Sequence, residues 1–260
     1  MDNIVYSYQI YMNTLEIENV SFAYDVERGA PAQQVLHQIN FTIAEGENIG
    51  LIGANGAGKS TLLKLICGLL PMKEGTIKVT GVTLDKSHLK TIRQQLGYVF
   101  QDSDSQLFMS TIYEDVAFAP RNYGFSREET ERMVEEALHQ VGLENFRDKQ
   151  VYKLSGGEKK LAGIATVLAM KSKLMLLDEP TVGLDPRNRL RLIEVMHSLS
   201  CSKLIACHDL DFVFDTCQRV VLLHDKKIAA IGSTEEILKN QELLQQHGLE
   251  LPLSFTRRTR

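Results

Sequence analysis

Apolar positions along the chain fall into two regimes. Residues 15–24, 35–43 and 75–80 are short, β-rich segments of the kind that build an antiparallel sheet. Residues 48–52, 174–177 and 204–207 are continuous apolar runs, which suit strands covered on both faces, as in a parallel sheet flanked by helices. Between these halves lies a helical section. Ser126 and Glu129 make an S-x-x-E capping box, and Met133, Val134, Ala137, Leu138 and Val141 then repeat at helical spacing until Gly142 stops the run. A hairpin follows the last buried run, residues 220–223 turning through 224–227 into 228–231. Ser233 and Glu236 then cap a final helix reaching to near Gly248, with Pro252 beyond it. The predicted fold class is α/β: a parallel-sheet core, an antiparallel β subdomain and an inserted helical subdomain.

The expected organisation is a main domain over residues 14–236, its helical subdomain at about 102–160, and a C-terminal helix and tail over 237–260. The first eleven residues do not fit the strand pattern, and two readings stand side by side. Either Met12 is the true start, or residues 1–13 are a short extension that packs Tyr6, Tyr8 and Tyr11 on the β subdomain.

Composition narrows the function classes. Of 260 residues, 43% are hydrophobic and 24% charged, with only 6 prolines, which excludes disordered and low-complexity classes. The 29 lysines and arginines against 33 acids leave a net charge of −4, which argues against a surface built to neutralise nucleic-acid phosphates. Residues 161–170, the longest strongly apolar stretch, fall far short of the roughly 20 needed to span a bilayer. No export signal opens the chain. Cys67, Cys201, Cys207 and Cys217 form no C-x-x-C pair and fit the buried thiols of a reduced cytoplasmic protein. Arg257, Arg258 and Arg260 read as a solvated tail.

The chemistry starts at Gly53-Ala54-Asn55-Gly56-Ala57-Gly58-Lys59-Ser60, which satisfies G-x-x-x-x-G-K-[ST]. A predicted strand feeds this loop and a helix over residues 59–69 leaves it, so the loop amides would point at an anion. Lys59 supplies a point charge and the Ser60 hydroxyl a ligand for Mg²⁺. Asp178 and Glu179 end a buried strand, where a carboxylate meets bound phosphate and metal. Asp178 would hold Mg²⁺, and Glu179 would orient or deprotonate the attacking water. His208 ends the next apolar strand and reaches the same sheet edge, as a donor toward the γ-phosphate or the water.

Leu154-Ser155-Gly156-Gly157-Glu158 is the more discriminating motif. Ser155 with Glu158 is a capping box, while the two glycines leave a helix N-terminus bare for an anion. The two readings are compatible. A helix in the helical subdomain does not easily reach its own chain's phosphate loop, so it would serve a second subunit's ATP.

With these motifs, residues 15–236 resemble the ATP-binding subunits of ATP-binding cassette (ABC) transporters, whose core is a RecA-like phosphate-loop NTPase. That resemblance implies that Tyr24 stacks on adenine, that residues from Gly53 to Thr61 bind phosphates, and that Gln101 reaches Mg²⁺ and the attacking water. It implies that Ser155, Gly156 and Gly157 contact ATP held by the opposite subunit, and that Asp185 links the two sites across a homo- or heterodimer. A narrower resemblance, in residues 101–108 and in Glu114-Asp115-Val116-Ala117-Phe118, is to the energy-coupling-factor (ECF) importers of vitamins or transition metals. Ser103 departs there from the usual proline. Residues 207–211 and 247–253 are most similar to the cobalt and nickel members. The implied partners are a membrane-spanning scaffold subunit, docked in a groove beside Gln106, Leu107 and Phe108, and a substrate-capturing membrane subunit. The implied location is peripheral, on the cytoplasmic face of the cell membrane.

A soluble ABC ATPase of chromosome maintenance or translation is the alternative from another class. Chromosome types insert a long coiled coil and translation types usually carry two cassettes, whereas here one cassette is present and Lys59 and Ser155 lie close in sequence. A phosphate-loop kinase would leave the Ser155 motif and Glu179 without a role.

Overall fold

The computed structural model describes residues 13–25 and 33–256. Met12 as a start, the extension bearing Tyr6, Tyr8 and Tyr11, and Arg257, Arg258 and Arg260 lie outside the described residues.

Two long strands, β1 (Asn13–Tyr24) and β2 (Gln33–Ala44), pair antiparallel. β3 (Asn48–Ile52), buried at every position, leads through residues 53–58 into α1 (Lys59–Ile66). β4 (Glu74–Val79) and β5 (Val82–Thr83) complete an antiparallel sheet of order β2-β1-β4-β5. α2 (Leu89–Gln95) and β6 (Leu96–Val99) follow, then α3 (Ile112–Asn122), α4 (Arg127–Val141) and α5 (Gly156–Leu168), which pack on one another. β7 (Leu174–Asp178), α6 (Pro186–Ser198), β8 (Ser202–Ala206), α7 (Leu210–Thr216), β9 (Arg219–His224) and β10 (Lys227–Ser233) come next. They build a six-stranded sheet of order β10-β9-β3-β8-β7-β6, parallel except for β10.

Cores lie on both faces of this sheet. Met175 and Leu177 of β7 join the core shared with α3, α4 and α5, while Leu174 and Leu176 join the one formed with α1 and the antiparallel sheet. That double cover is why these strands read as unbroken apolar runs. β3, β8 and β7 are neighbours, so the residues leaving their carboxyl ends (Gly53, Cys207 and Glu179) emerge side by side, where open α/β sheets bind ligands.

Two expectations need correction. The helix leaving the loop ends at Ile66 and not Leu69, because Gly68 takes a left-handed φ of 63° and the Leu69 amide closes back on the Lys64 carbonyl. The final helix is two helices, α8 (Thr234–Leu238) and α9 (Gln241–Gln246). Asn240 breaks it, its side chain accepting from the Leu243 amide and so starting a new helix. A short α10 (Leu253–Thr256) follows.

Candidate active site

Residues 53–58 fold into their loop because glycine stands where other residues would be strained. Gly53, Gly56 and Gly58 have φ of 152°, 81° and 101°, and a Cβ on Gly53 would lie 2.4 Å from the Leu223 carbonyl oxygen. Gly58 is the N-cap of α1, with no side-chain cap and no acidic residue in the first turn. The positive end of the helix therefore faces the loop with no acidic residue of its own first turn to compete. Lys59 is 7% exposed, and its ammonium donates to the carbonyls of Gly53 (2.8 Å) and Ala54 (3.4 Å). It also lies 3.8 Å from Glu179 Oε1.

The Ser60 hydroxyl donates to Asp178 Oδ1 at 2.9 Å, which joins α1 to the end of β7. Tyr98 of β6 donates its phenol to Asp178 Oδ2 at 3.1 Å. Burial pushes the Asp178 carboxyl above its ordinary range, opposed by these two hydrogen bonds. Burial and the neighbouring Asp178 charge push the Tyr98 phenol far up, so it stays a donor. Ser60 and Asp178 are hard oxygen donors, and a cation would offset the cost of burying this carboxylate. The pair fits Mg²⁺.

Glu179 stands directly after β7 with a left-handed φ of 46°, uncommon for a residue with a side chain. Its amide donates to the Ala206 carbonyl at 2.8 Å. Its Oε2 accepts from the His208 amide at 3.1 Å and lies 2.6 Å from His208 Nδ1. The Glu179 side chain is 10% exposed and that of His208 59%, so the imidazole joins a buried carboxylate to open space.

Lys59, Ser60, Thr61, Gln101, Glu179 and His208 line one cavity of about 510 Å³, with Tyr24 and loop residues Asn55, Gly56, Ala57 and Gly58. Tyr24 sits edge-on to Phe22 and lies 3.2 Å from the Thr61 hydroxyl, so part of the ring is structural packing. Ser155, Gly156, Gly157 and Asp185 do not line this cavity. Ser155 caps α5 in the expected box, its hydroxyl accepting from Glu158 and Glu158 accepting from the Ser155 amide. Asp185 caps α6 and grips the Asn188 side chain at 2.8 Å. Asn188 packs so tightly on Gly157 that a Cβ there would lie 2.3 Å from its Nδ2, which puts both segments at one place on the surface.

The expected groove beside Gln106, Leu107 and Phe108 is not a shared surface of the three. Leu107 is 6% exposed and belongs to the core, because the short 3₁₀ turn at Ser103–Ser105 directs it inward. Gln106 also turns inward, donating to the Gly163 carbonyl and the Thr166 hydroxyl and accepting from the Phe100 amide. Only Phe108 is open, at 63% exposure, edge-on to Phe118.

Sequence reasoning missed Tyr98 and Lys160. Lys160, 3% exposed, spends its ammonium on the carbonyls of Phe100 (3.2 Å) and Gln101 (2.6 Å), fixing the Gln101 loop to α5. A lysine on the buried face of an otherwise apolar helix was the available signal. Tyr98 gave none, since an aromatic in a strand is ordinary packing.

A phosphate loop at the carboxyl edge of a parallel sheet, a carboxylate pair ending the strand two places along and a histidine following the strand between them define a nucleotide-hydrolysing cassette. The chain belongs to the ABC transporter family, whose profile, described as "ABC transporter", matches residues 36–182. It is an ATP-binding ATPase subunit with the ABC ATPase fold. An ABC transporter ATP-binding protein of Geobacter sulfurreducens is 44% identical over 222 residues, covering 85% of this chain and 89% of that one. The energy-coupling factor transporter ATP-binding protein EcfA2 of Methanospirillum hungatei is 38% identical over 244 residues, covering 92% of this chain and 60% of that one. Among solved structures, cbiO1 of Clostridium perfringens, part of the ABC transporter complex cbiONQ, superposes with a TM-score of 0.80 at 32% identity, covering 96% of this chain and 99% of that one. ABC ATPases dimerise and work with membrane subunits. Among the described residues no helix is long and apolar enough to cross a membrane.

Proposed function

We propose that this chain energises an ECF-type importer from the cytoplasmic face of the membrane, and that the cargo is cobalt or nickel ions. The likeness to EcfA2 and to cbiO1 over nearly the whole chain supports the importer type. The observation that carries the mechanism is the division of the site: Lys59, Glu179 and His208 line the cavity, while Ser155 and Asp185 do not. Head-to-tail pairing with a second cassette, identical or related, brings the partner's capped α5 to the open side of the cavity.

In that pair Lys59 and the loop amides hold the ATP phosphates, and Tyr24 meets the adenine. Glu179, held by His208, orients the attacking water and takes its proton, while Gln101 reaches the same water. Ser60, Asp178 and Gln101 are the residues that would hold Mg²⁺, and the ion would supply positive charge beside the phosphates. ATP bound between two chains favours the closed pair, and hydrolysis removes that preference. Phe108 is the part of the Gln106–Phe108 segment offered to the membrane scaffold.

The test is to tag the Glu179→Gln chain in its native cell, solubilise membranes in detergent with ATP, and identify what co-purifies. One multi-spanning scaffold and one small membrane protein are expected; soluble partners alone would overturn the importer reading. Uptake of radiolabelled cobalt and nickel should fall in cells lacking the chain, and unchanged uptake of both would remove the metal cargo.

A further inference from the structure

Arg189 does not line the cavity, yet it makes a forked ion pair with the residue that follows His208. It stands in the first turn of α6, and its amide donates to the carbonyl of Asp185, the cap of that helix, at 2.9 Å. Its guanidinium forks onto one carboxylate: Nε donates to Asp209 Oδ2 at 2.8 Å and Nη2 to Asp209 Oδ1 at 3.2 Å. Both side chains are about three-quarters buried, at 25% and 24% exposure. Asp215 lies 3.9 Å from the guanidinium, at the edge of ion-pair range.

Asp209 is the residue after His208. It also caps α7, accepting from the Phe212 amide at 2.8 Å. Burial, the largest single influence, would push this carboxyl up, but the Arg189 hydrogen bonds, the Phe212 amide and the Arg189 charge together hold it below its ordinary range. The result is a short chain of contacts. Arg189 fixes Asp209, the backbone from Asp209 fixes His208, and His208 holds Glu179 through both its amide and its ring. A forked guanidinium-carboxylate pair sets orientation as well as distance, which one ammonium does not.

We propose that Arg189 is a positioning residue for ATP hydrolysis: its forked pair with Asp209 holds His208 against Glu179 and ties that loop to the Asp185 segment. The proposal rests on the ATPase reading and adds a residue that touches neither nucleotide nor water. Arg189 acts on the turnover step, because the loop and Lys59 that hold the phosphates sit on other elements. Misplacing a catalytic group by about an ångström costs up to roughly 10²-fold in rate.

The experiment uses the purified full chain and compares wild type, Arg189→Ala and Arg189→Lys. ATP turnover and the affinity for a fluorescent ATP analogue are measured separately. Histidine is labelled with ¹⁵N, and the His208 signal is assigned as the one lost in His208→Ala. Arg189→Ala should lower kcat about tenfold or more while nucleotide affinity stays within about twofold. Its His208 signal should move, while those of His37, His88 and His139 stay in place. Arg189→Lys, which keeps the charge but loses the fork, should fall between, and it carries the same comparisons if the alanine variant does not fold. An unmoved His208 signal, or kcat and affinity falling together with the melting temperature, would overturn the proposal and leave Arg189 a structural pin. A wild-type chain without turnover fails at the earlier step: the ATPase reading falls, and this proposal with it.

Discussion

Replacing Tyr98 by Phe removes one hydroxyl and leaves the ring in its edge-on contact with Phe100, whose centroid is 4.7 Å away. What is lost is the hydrogen bond to Asp178 Oδ2, while Oδ1 keeps its bond from Ser60. Hydrogen bonds to charged groups are worth about 1.5–3 kcal/mol. At about 2–4 °C per kcal/mol for a chain of this size, the melting temperature should fall by roughly 3–12 °C. The loss should depend on pH. The phenol supports the ionised form of Asp178, whose carboxyl burial already pushes up from an ordinary 3.8, so its removal pushes that carboxyl further up. Between the ordinary value and the raised folded value the folded chain binds the extra proton, and stability falls as pH rises. That fall is larger in the variant, so the gap to wild type is full above the variant's raised value and narrows toward pH 3.8. Urea or thermal melts of both chains across pH, without nucleotide or divalent cations, measure it. A gap that stays under about 0.5 kcal/mol across the whole pH range, the size of an ordinary surface change, or one constant with pH, would refute the account.

Glu179→Gln should lower ATP turnover by roughly 10² to 10⁴, with ATP binding retained; that is about 2.7–5.4 kcal/mol of barrier, and near-normal turnover would remove Glu179 from the base role. Lys59→Ala should lose nucleotide binding, and an unchanged affinity in titration would sink the loop assignment. Leu107→Ala should cost about 2–5 kcal/mol in a denaturant melt, as a buried leucine does, while Phe108→Ala should stay within about 0.5 kcal/mol. The reverse order would restore Leu107 to the surface.

The phosphate loop was legible because phosphate binding demands contiguous backbone: a strand, glycines at fixed offsets and a helix start all sit within residues 48–60. Asp178 and His208 were legible because each stands at or just beyond the end of an apolar run, and neighbouring parallel strands end at one edge. Contacts between distant segments were not. Nothing in residues 96–99 says that the Tyr98 hydroxyl finds Asp178, and nothing local pairs Arg189 with Asp209. The Gln106, Leu107 and Phe108 trio misled for a related reason. Three neighbours of mixed polarity just after a 3₁₀ turn point in different directions, and no period of 2 or 3.6 describes them.

The division of the site has a genetic consequence. Under head-to-tail pairing, a lesion at Lys59 damages the site its own chain holds, whereas a lesion at Ser155 damages the site held by the partner. In a mixed pair carrying one of each, both lesions fall on the same site and the other is left whole. Two alleles that are each inactive alone would then complement one another within a single homodimer, while two lesions in the same cavity would not.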